Sequence, residues 1–432
     1  MPAVLADLRI DARWIVPMTA RGRVLADHSL VVRDGRILDI LPSADAAGRY
    51  AATLTLGRPA HLLMPGMVNA HTRAALSLLR GREAPLAFLE ANFVGSEFVR
   101  DGVLAAIAEM LISGITCFGD RYYYPDATAR AAGEQGVRAV IGLPVAETAS
   151  PWAKSASEYL TAGLRVRDEF AGHPLISTVF APHAADAVSD ATFARIVTLA
   201  DELDAGIVID LHESADAVAR SLAAHGSRPI ERLWQLGMLT PALNAVHMRH
   251  AAPADIALAQ RTGISISLGP SSSLACEQQF PPAASFVAAG IRLGLGTGGG
   301  FQDLWGEMKL FALMMSSMRR SGEPDYTAWD ALAAVTRGSA SALGLDLDVG
   351  TLETGKWADL CCVDLGRPAT QPVNDPVKQL VFCGGRDIVS DVWVAGRQLL
   401  SEGELSRLDW SRVAARAAAW TARMNARGEA RA

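Results

Sequence analysis

Eight short apolar runs recur through the middle of the chain, most of them separated by longer segments with one polar face. The runs are LLMPGMVNA, ITCFG, RAVIGLPV, ISTVFAP, GIVIDL, LNAVHM, GISISLG and IRLGLGT. Each has the length of a strand and is apolar throughout, as a strand covered on both faces must be. Between them, segments such as DGVLAAIAEMLISG and DATFARIVTLADEL carry apolar residues at helical spacing. Eight strand-then-helix units predict an α/β protein, a (β/α)8 TIM barrel over residues 61–346. In that architecture, reactive side chains sit at the C-terminal ends of the strands. The residues that close each run are therefore where chemistry is expected.

The flanks read differently. ARWIVPM, HSLVVRDGRILDIL and AATLTLG before the barrel look like short strands, with Asp34-Gly35 marking a hairpin turn. WADLCCVDL, VKQLVFCGG and DIVSDVWVAGRQLL after it look like strands again. Residues 1–60 and 347–407 thus predict a small composite β-sandwich domain built from both termini. The Ala-rich stretch 408–432, with Arg412, Arg416, Arg423 and Arg427 at mostly helical spacing, predicts a C-terminal surface helix.

Composition narrows the class of partner. Of 432 residues, 50% are hydrophobic and 20% charged, which supports a sizeable core. Lys+Arg 40 against Asp+Glu 46 leaves a net charge of −6, the wrong sign for a nucleic-acid or anionic-membrane binder. Cys117, Cys276, Cys361, Cys362 and Cys383 are scattered and contain no CxxC, so neither a disulfide framework nor a zinc knuckle is expected. Asp7, Arg9, Asp11 and Arg13 break up any signal-peptide core. No apolar stretch reaches the ~18 residues a membrane span needs. The expected setting is cytoplasmic and the expected partner a small molecule.

Polar residues close several runs. The first ends Asn69-Ala70-His71-Thr72-Arg73, the fourth in His183, the fifth in Asp210-Leu211-His212-Glu213, the sixth in His247, and the eighth in Thr297-Gly298-Gly299. Alternation along a strand puts His71 with Arg73 and Asp210 with His212 on common sides. Histidines at several equivalent strand ends point to a polar site at the barrel mouth.

PGMVNAHTRAALSLLRG is similar to the PGxVNAHTHxxxxLLRG segment of the amidohydrolase superfamily. EMLISGITCFGDRYYYPD, APHAADAVSD, DLHES, AVHM, SLGPSSSL and GSASALGLDLDVGTLETGKWADLCCVDL extend the resemblance over nearly the whole chain. The branch resembled is that of methylthioadenosine/S-adenosylhomocysteine deaminases and triazine chlorohydrolases. The resemblance implies a divalent ion at the mouth. It would be held by a strand-one HxH pair, a strand-five His, a strand-six His and a strand-eight Asp, with a Glu as proton shuttle.

Carried over position by position, the pattern is incomplete. His71 matches the first HxH histidine, but Arg73 replaces the second. Asp210 stands at the strand-five His, and Gly298 at the strand-eight Asp. Glu213 and His247 match the catalytic Glu and the strand-six His. Catalytic candidates are therefore Glu213, His247 and His71, with Asp303 available to replace the missing carboxylate. His183, Arg73, Arg121 and Arg249 are the substrate-binding candidates, and three guanidiniums favour an acidic ligand. Because Arg has no lone pair and repels a dication, no metal is expected, and an Arg73–Asp210 ion pair is expected in its place. If one zinc or iron ion is held after all, His71, Asp210 and His247 are its ligands.

The reading that follows is a deaminase-like amidohydrolase without zinc-dependent deaminase activity that binds a small, anionic or heterocyclic ligand. An active hydrolase of non-peptide C–N bonds with a rebuilt centre is one alternative. A metal-free lyase, cyclase or isomerase is another. The resemblance also implies a homodimer or larger homo-oligomer.

Overall fold

The computed structural model describes residues 3–277, 279–318 and 326–429. Eight parallel strands form one sheet: β1 (Met67–Thr72), β2 (Ile115–Asp120), β3 (Arg138–Val145), β4 (Ile176–Pro182), β5 (Ile207–Leu211), β6 (Leu243–His247), β7 (Ser265–Leu268) and β8 (Leu293–Leu295). They neighbour one another in chain order, with helices in the connections, which is the (β/α)8 barrel. Each strand coincides with one apolar run, and nearly every residue in them is buried. Pairing is thinnest between β4 and β5, where Phe180–Ile207 and an isolated Ala184–Asp210 bridge are the paired residues.

The seam between β8 and β1 is made of backbone. Gly298 N–H donates to the His71 carbonyl at 2.9 Å. A Cβ on Gly296 would fall 2.5 Å from that same carbonyl oxygen, so only glycine allows the approach.

A second, mixed sheet has eight strands in the order Glu404–Leu405, Arg397–Ser401, Val389–Val394, Leu360–Asp364, Tyr50–Pro65, Val4–Ile15, Leu25–Arg33, Arg36–Pro42. Tyr50–Pro65 pairs in parallel with Val4–Ile15 and antiparallel with Leu360–Asp364, which joins the two ends of the chain in one sheet. Its core includes Leu8, Ile10, Ile15, Leu30, Leu63, Leu360 and Trp393. The Asp34-Gly35 turn has positive φ at both residues, 52° and 74°, as a tight two-residue hairpin requires. VKQLVFCGG is not a strand: Pro376–Cys383 is a helix. Asp375 caps it, accepting from the N–H groups of Val377 and Lys378, and Pro376 opens it. Those start signals outweigh the β-branched apolar content.

By compactness the chain divides into two units. One comprises Met1–Asn69, Met110–Cys117 and Asp303–Arg407, and the other Ala70–Glu109, Phe118–Gln302 and Leu408–Ala432. The second unit contains every polar strand end discussed below. It also contains the C-terminal helix Trp410–Glu429. That helix is tied down by the buried Asp101 carboxylate, which accepts from Arg416 Nη1 at 2.6 Å and Trp420 Nε1 at 3.0 Å. Among the described residues no helix is long and apolar enough to cross a membrane.

Candidate active site at the barrel mouth

Strands β1, β5 and β6 bring His71, Asp210 and His247 together. One donor atom from each lies within 4.8 Å of the other two, and all three residues are buried. The two imidazoles meet edge to face, with centroids 5.9 Å apart. His247 Nε2 stands 3.3 Å from Asp210 Oδ1 and 3.7 Å from Glu213 Oε1. His247 holds this position at φ +79°, a strained backbone state of the kind that collects at functional sites. Glu213 is half exposed, so it faces both the cluster and solvent.

Two guanidiniums converge on the same carboxylate. Arg121 Nη2 donates to Asp210 Oδ2 in a contact buried on both sides. Arg73 Nη2 lies 3.5 Å from that oxygen. The expected Arg73–Asp210 pair therefore exists, but Arg121 is the closer partner. Burial alone would push the Asp210 carboxyl up, yet the Arg121 guanidinium and then His247 outweigh it. The carboxyl is held well below its usual range and stays ionised. Burial, followed by the positive charge of Arg121, holds His71 well below the usual imidazole value, and His183 is lowered for the same two reasons. Both rings are neutral near pH 7, with lone pairs to offer.

The other candidates fall in different places. His183 and Arg73 line the same cavity as Arg121. Arg249 is buried and engaged elsewhere: Nε with Ser273 Oγ at 3.1 Å, Nη1 with the Glu213 carbonyl at 3.0 Å, and Nη2 with His247 Nδ1 at 3.2 Å. It braces the histidine from behind. His212 does not share Asp210's side, because β5 ends at Leu211 and His212 turns to φ +49°. Its ring accepts from Ile230 N–H at 3.3 Å and lies 3.9 Å from Asp255, and burial lowers it to about 4. Asp303 caps the helix Leu304–Met318 through Gly306 N–H and pairs with Arg386 at 3.7 Å. Sequence reasoning did not single out Tyr122, Tyr123, Tyr159 and Glu90 as cavity wall. The YYY run directly after Arg121 was the available signal.

Asp120, at the end of β2, supports Arg73 indirectly. It accepts from the Ala74 N–H at 2.7 Å and from Thr128 Oγ1 at 3.4 Å. Burial raises its carboxyl to about 6. A carboxyl raised in the folded state binds more protons there than in the unfolded chain. The stability this gives is complete below the ordinary value of 3.8 and is lost as pH rises through about 6. Asp120→Asn removes the penalty of ionising a buried carboxyl. It is expected to stabilise the protein by on the order of 2 kcal/mol above pH 7 and to have little effect near pH 4. Urea unfolding at both pH values checks this, and equal effects at the two would refute it.

The Amidohydrolase family matches residues 62–399. The chain belongs to the amidohydrolase family. It is 38% identical to a 5-methylthioadenosine/S-adenosylhomocysteine deaminase of Teredinibacter turnerae, over 98% of both chains. A protein of the same name from Saccharophagus degradans is 36% identical, over 98% of this chain and 97% of that one. Among solved structures, an adenosine deaminase from Xanthomonas campestris with bound zinc superposes with a TM-score of 0.94 at 38% identity, covering 98% of this chain and all of that one. An atrazine chlorohydrolase of Arthrobacter aurescens complexed with zinc gives 0.86 at 20% identity, covering 96% and 99%, and shows the shared fold.

These findings correct the expectation that no metal is held. The zinc-containing relative is close in both sequence and fold, and this amidohydrolase retains a convergent donor set in His71, Asp210 and His247. The fit is also chemical. The two guanidiniums engage Asp210 through Oδ2. Oδ1 is buried, has no hydrogen bond of good geometry, and faces the His247 imidazole. A carboxylate oxygen and two imidazoles form a donor set suited to zinc. Arg73 does not take an ion's place, contrary to the expectation from its charge: its guanidinium lies against Asp210 Oδ2 and leaves Oδ1 to the histidines.

Proposed function

We propose that this amidohydrolase takes a small N-heterocyclic molecule into its barrel mouth. We further propose that it has lost the deamination of adenosine-type compounds that its relatives' names describe. The observation that carries the reading is the state of Asp210, drawn into an ion pair with Arg121 where the family pattern has an imidazole. Gly298 deepens it, since it leaves the strand-eight position without a carboxylate to take a proton.

A divalent ion such as zinc would be held by His71, Asp210 and His247, and would supply a bound water of lowered pKa. The chain's own residues then have defined tasks. Glu213 moves the proton, since it reaches towards His247 on one side and solvent on the other. His183 orients the ligand as a neutral hydrogen-bonding group. Arg249 stands against the His247 ring on its Nδ1 side, at 3.2 Å, and limits how far the ring can turn. Tyr123, half-buried, presents aromatic surface to a flat ring, backed by the buried Tyr122 and Tyr159.

The test is ammonia release from adenosine, 5-methylthioadenosine and S-adenosylhomocysteine by zinc-supplemented protein, with metal content measured on the same sample. The expected result is binding without appreciable turnover. Sustained turnover of any of the three would overturn the reading. A second reading, an active C–N hydrolase with a rebuilt centre, is favoured by Glu213 lying 3.7 Å from His247. It requires some N-heterocycle to be hydrolysed, and Glu213→Gln to slow that turnover by about 100-fold or more.

A further inference from the structure

The cavity at the mouth is lined by two unlike kinds of residue. Arg73 and Arg121 bring positive charge, and the half-buried Tyr123 brings aromatic surface, with Tyr122 and Tyr159 buried behind it and His183 exposed. The Tyr122 and Tyr123 rings lie 5.1 Å apart. Arg121 is 7% exposed, yet its Nη1 has no hydrogen-bond partner among the described residues. A guanidinium is always charged, and a buried N–H of such a group demands an acceptor. The protein supplies one oxygen, Asp210 Oδ2, for two guanidiniums. Arg121 takes that oxygen at close range, while Arg73, 27% exposed, stands 3.5 Å from it and keeps N–H groups to offer a ligand. The cavity's other charged lining residue is Glu90, whose carboxylate accepts from the Tyr122 hydroxyl at 2.9 Å. It keeps an anion away from its own end and sets the direction in which a charged ligand lies.

We infer that the ligand of this mouth is a flat ring bearing a carboxylate, with the carboxylate docked on the Arg73 guanidinium beside Arg121 and the ring against Tyr123. This rests on the reading above that a small heterocycle enters here, and it names the substituent that the ligand carries. A carboxylate on a ring presents its two oxygens as a flat pair that a guanidinium edge meets with parallel hydrogen bonds. A ring carboxylate also continues as a flat aromatic body into the tyrosine-lined part of the cavity.

The experiment is calorimetric titration of the full chain with benzoate, nicotinate and orotate. Each is compared with its uncharged carboxamide, and inorganic phosphate serves as competitor. At least one carboxylate is expected to bind at least tenfold more tightly than its amide, a margin within reach of a charge-assisted hydrogen bond. Phosphate at equal concentration is expected not to displace it. Arg73→Gln should abolish that preference, and Arg121→Gln should weaken it severalfold. Thermal melts of both variants establish that they remain folded, and Arg73→Gln, which leaves the Arg121–Asp210 pair in place, serves if Arg121→Gln does not. Equal affinity for acid and amide, an unchanged preference in Arg73→Gln, or displacement by phosphate would each overturn the inference. Failure of every ring compound to bind would overturn it too. Adenosine binding in the same cell then separates the two claims: if adenosine still binds, the heterocycle reading stands and the carboxylate alone is lost.

Discussion

Replacing Arg121 with methionine is expected to lower the free energy of unfolding by about 3 kcal/mol or more, the scale for removing one partner of a buried ion pair. Asp210 and Arg121 side chains are only 3% and 6% exposed, so solvent does little to screen the contact. Without the guanidinium, a carboxylate that is completely buried keeps only His247 and the more distant Arg73 as favourable neighbours. Adding Asp210→Asn to the Arg121 variant should recover most of the loss, because the charge that lacks a partner is then gone. Urea denaturation followed by tryptophan fluorescence gives all corners of the double-mutant cycle. A single Arg121→Met variant within 1 kcal/mol of the parent, about the worth of an exposed pair, would show that the ion pair does not hold the mouth together.

Rebuilding the family ligand set is expected to raise zinc affinity on the order of 100-fold or more, since Arg73→His, Asp210→His and Gly298→Asp together take the donors from two imidazoles and one carboxylate to four imidazoles and one carboxylate. The last change is the delicate one. Gly298 lies at φ +71°, which disfavours most side chains, though aspartate is among the residues that tolerate it best. A Cβ there meets only Ser272, at 3.5 Å, so there is room for the carboxylate. Competition against a fluorescent zinc chelator reads the affinity in parent and variant. If zinc affinity does not change, the residues at 73, 210 and 298 are not what limits zinc binding at this centre.

The strands were legible in the chain because a parallel strand buried on both faces has no polar alternation to confuse it with a surface element. Each of the eight runs became one of β1 to β8. The helix at Pro376–Cys383 was misread for a local reason: its apolar content resembles a strand, and the deciding signal was the Asp-Pro start just before it. Within the site, the residue types at 71, 210 and 247 could be read from position at strand ends. The partner of Asp210 could not. Arg121 lies 89 positions away in sequence and reaches Asp210 across the barrel mouth, a choice made by barrel geometry rather than local pattern. Alternation also stopped being a guide one residue too early, since it placed His212 with Asp210 although β5 had already ended at Leu211.

The seam between the last and first strands carries a wider consequence. Because Gly298 is fastened to the His71 carbonyl through its own amide, a residue that tolerates its positive φ, such as aspartate, can stand there with that hydrogen bond intact. Chemistry and architecture are thereby uncoupled at this corner of the barrel. A lineage can discard a reactive group here, or a laboratory can reinstall one, and the neighbouring imidazole need not be repositioned in either case.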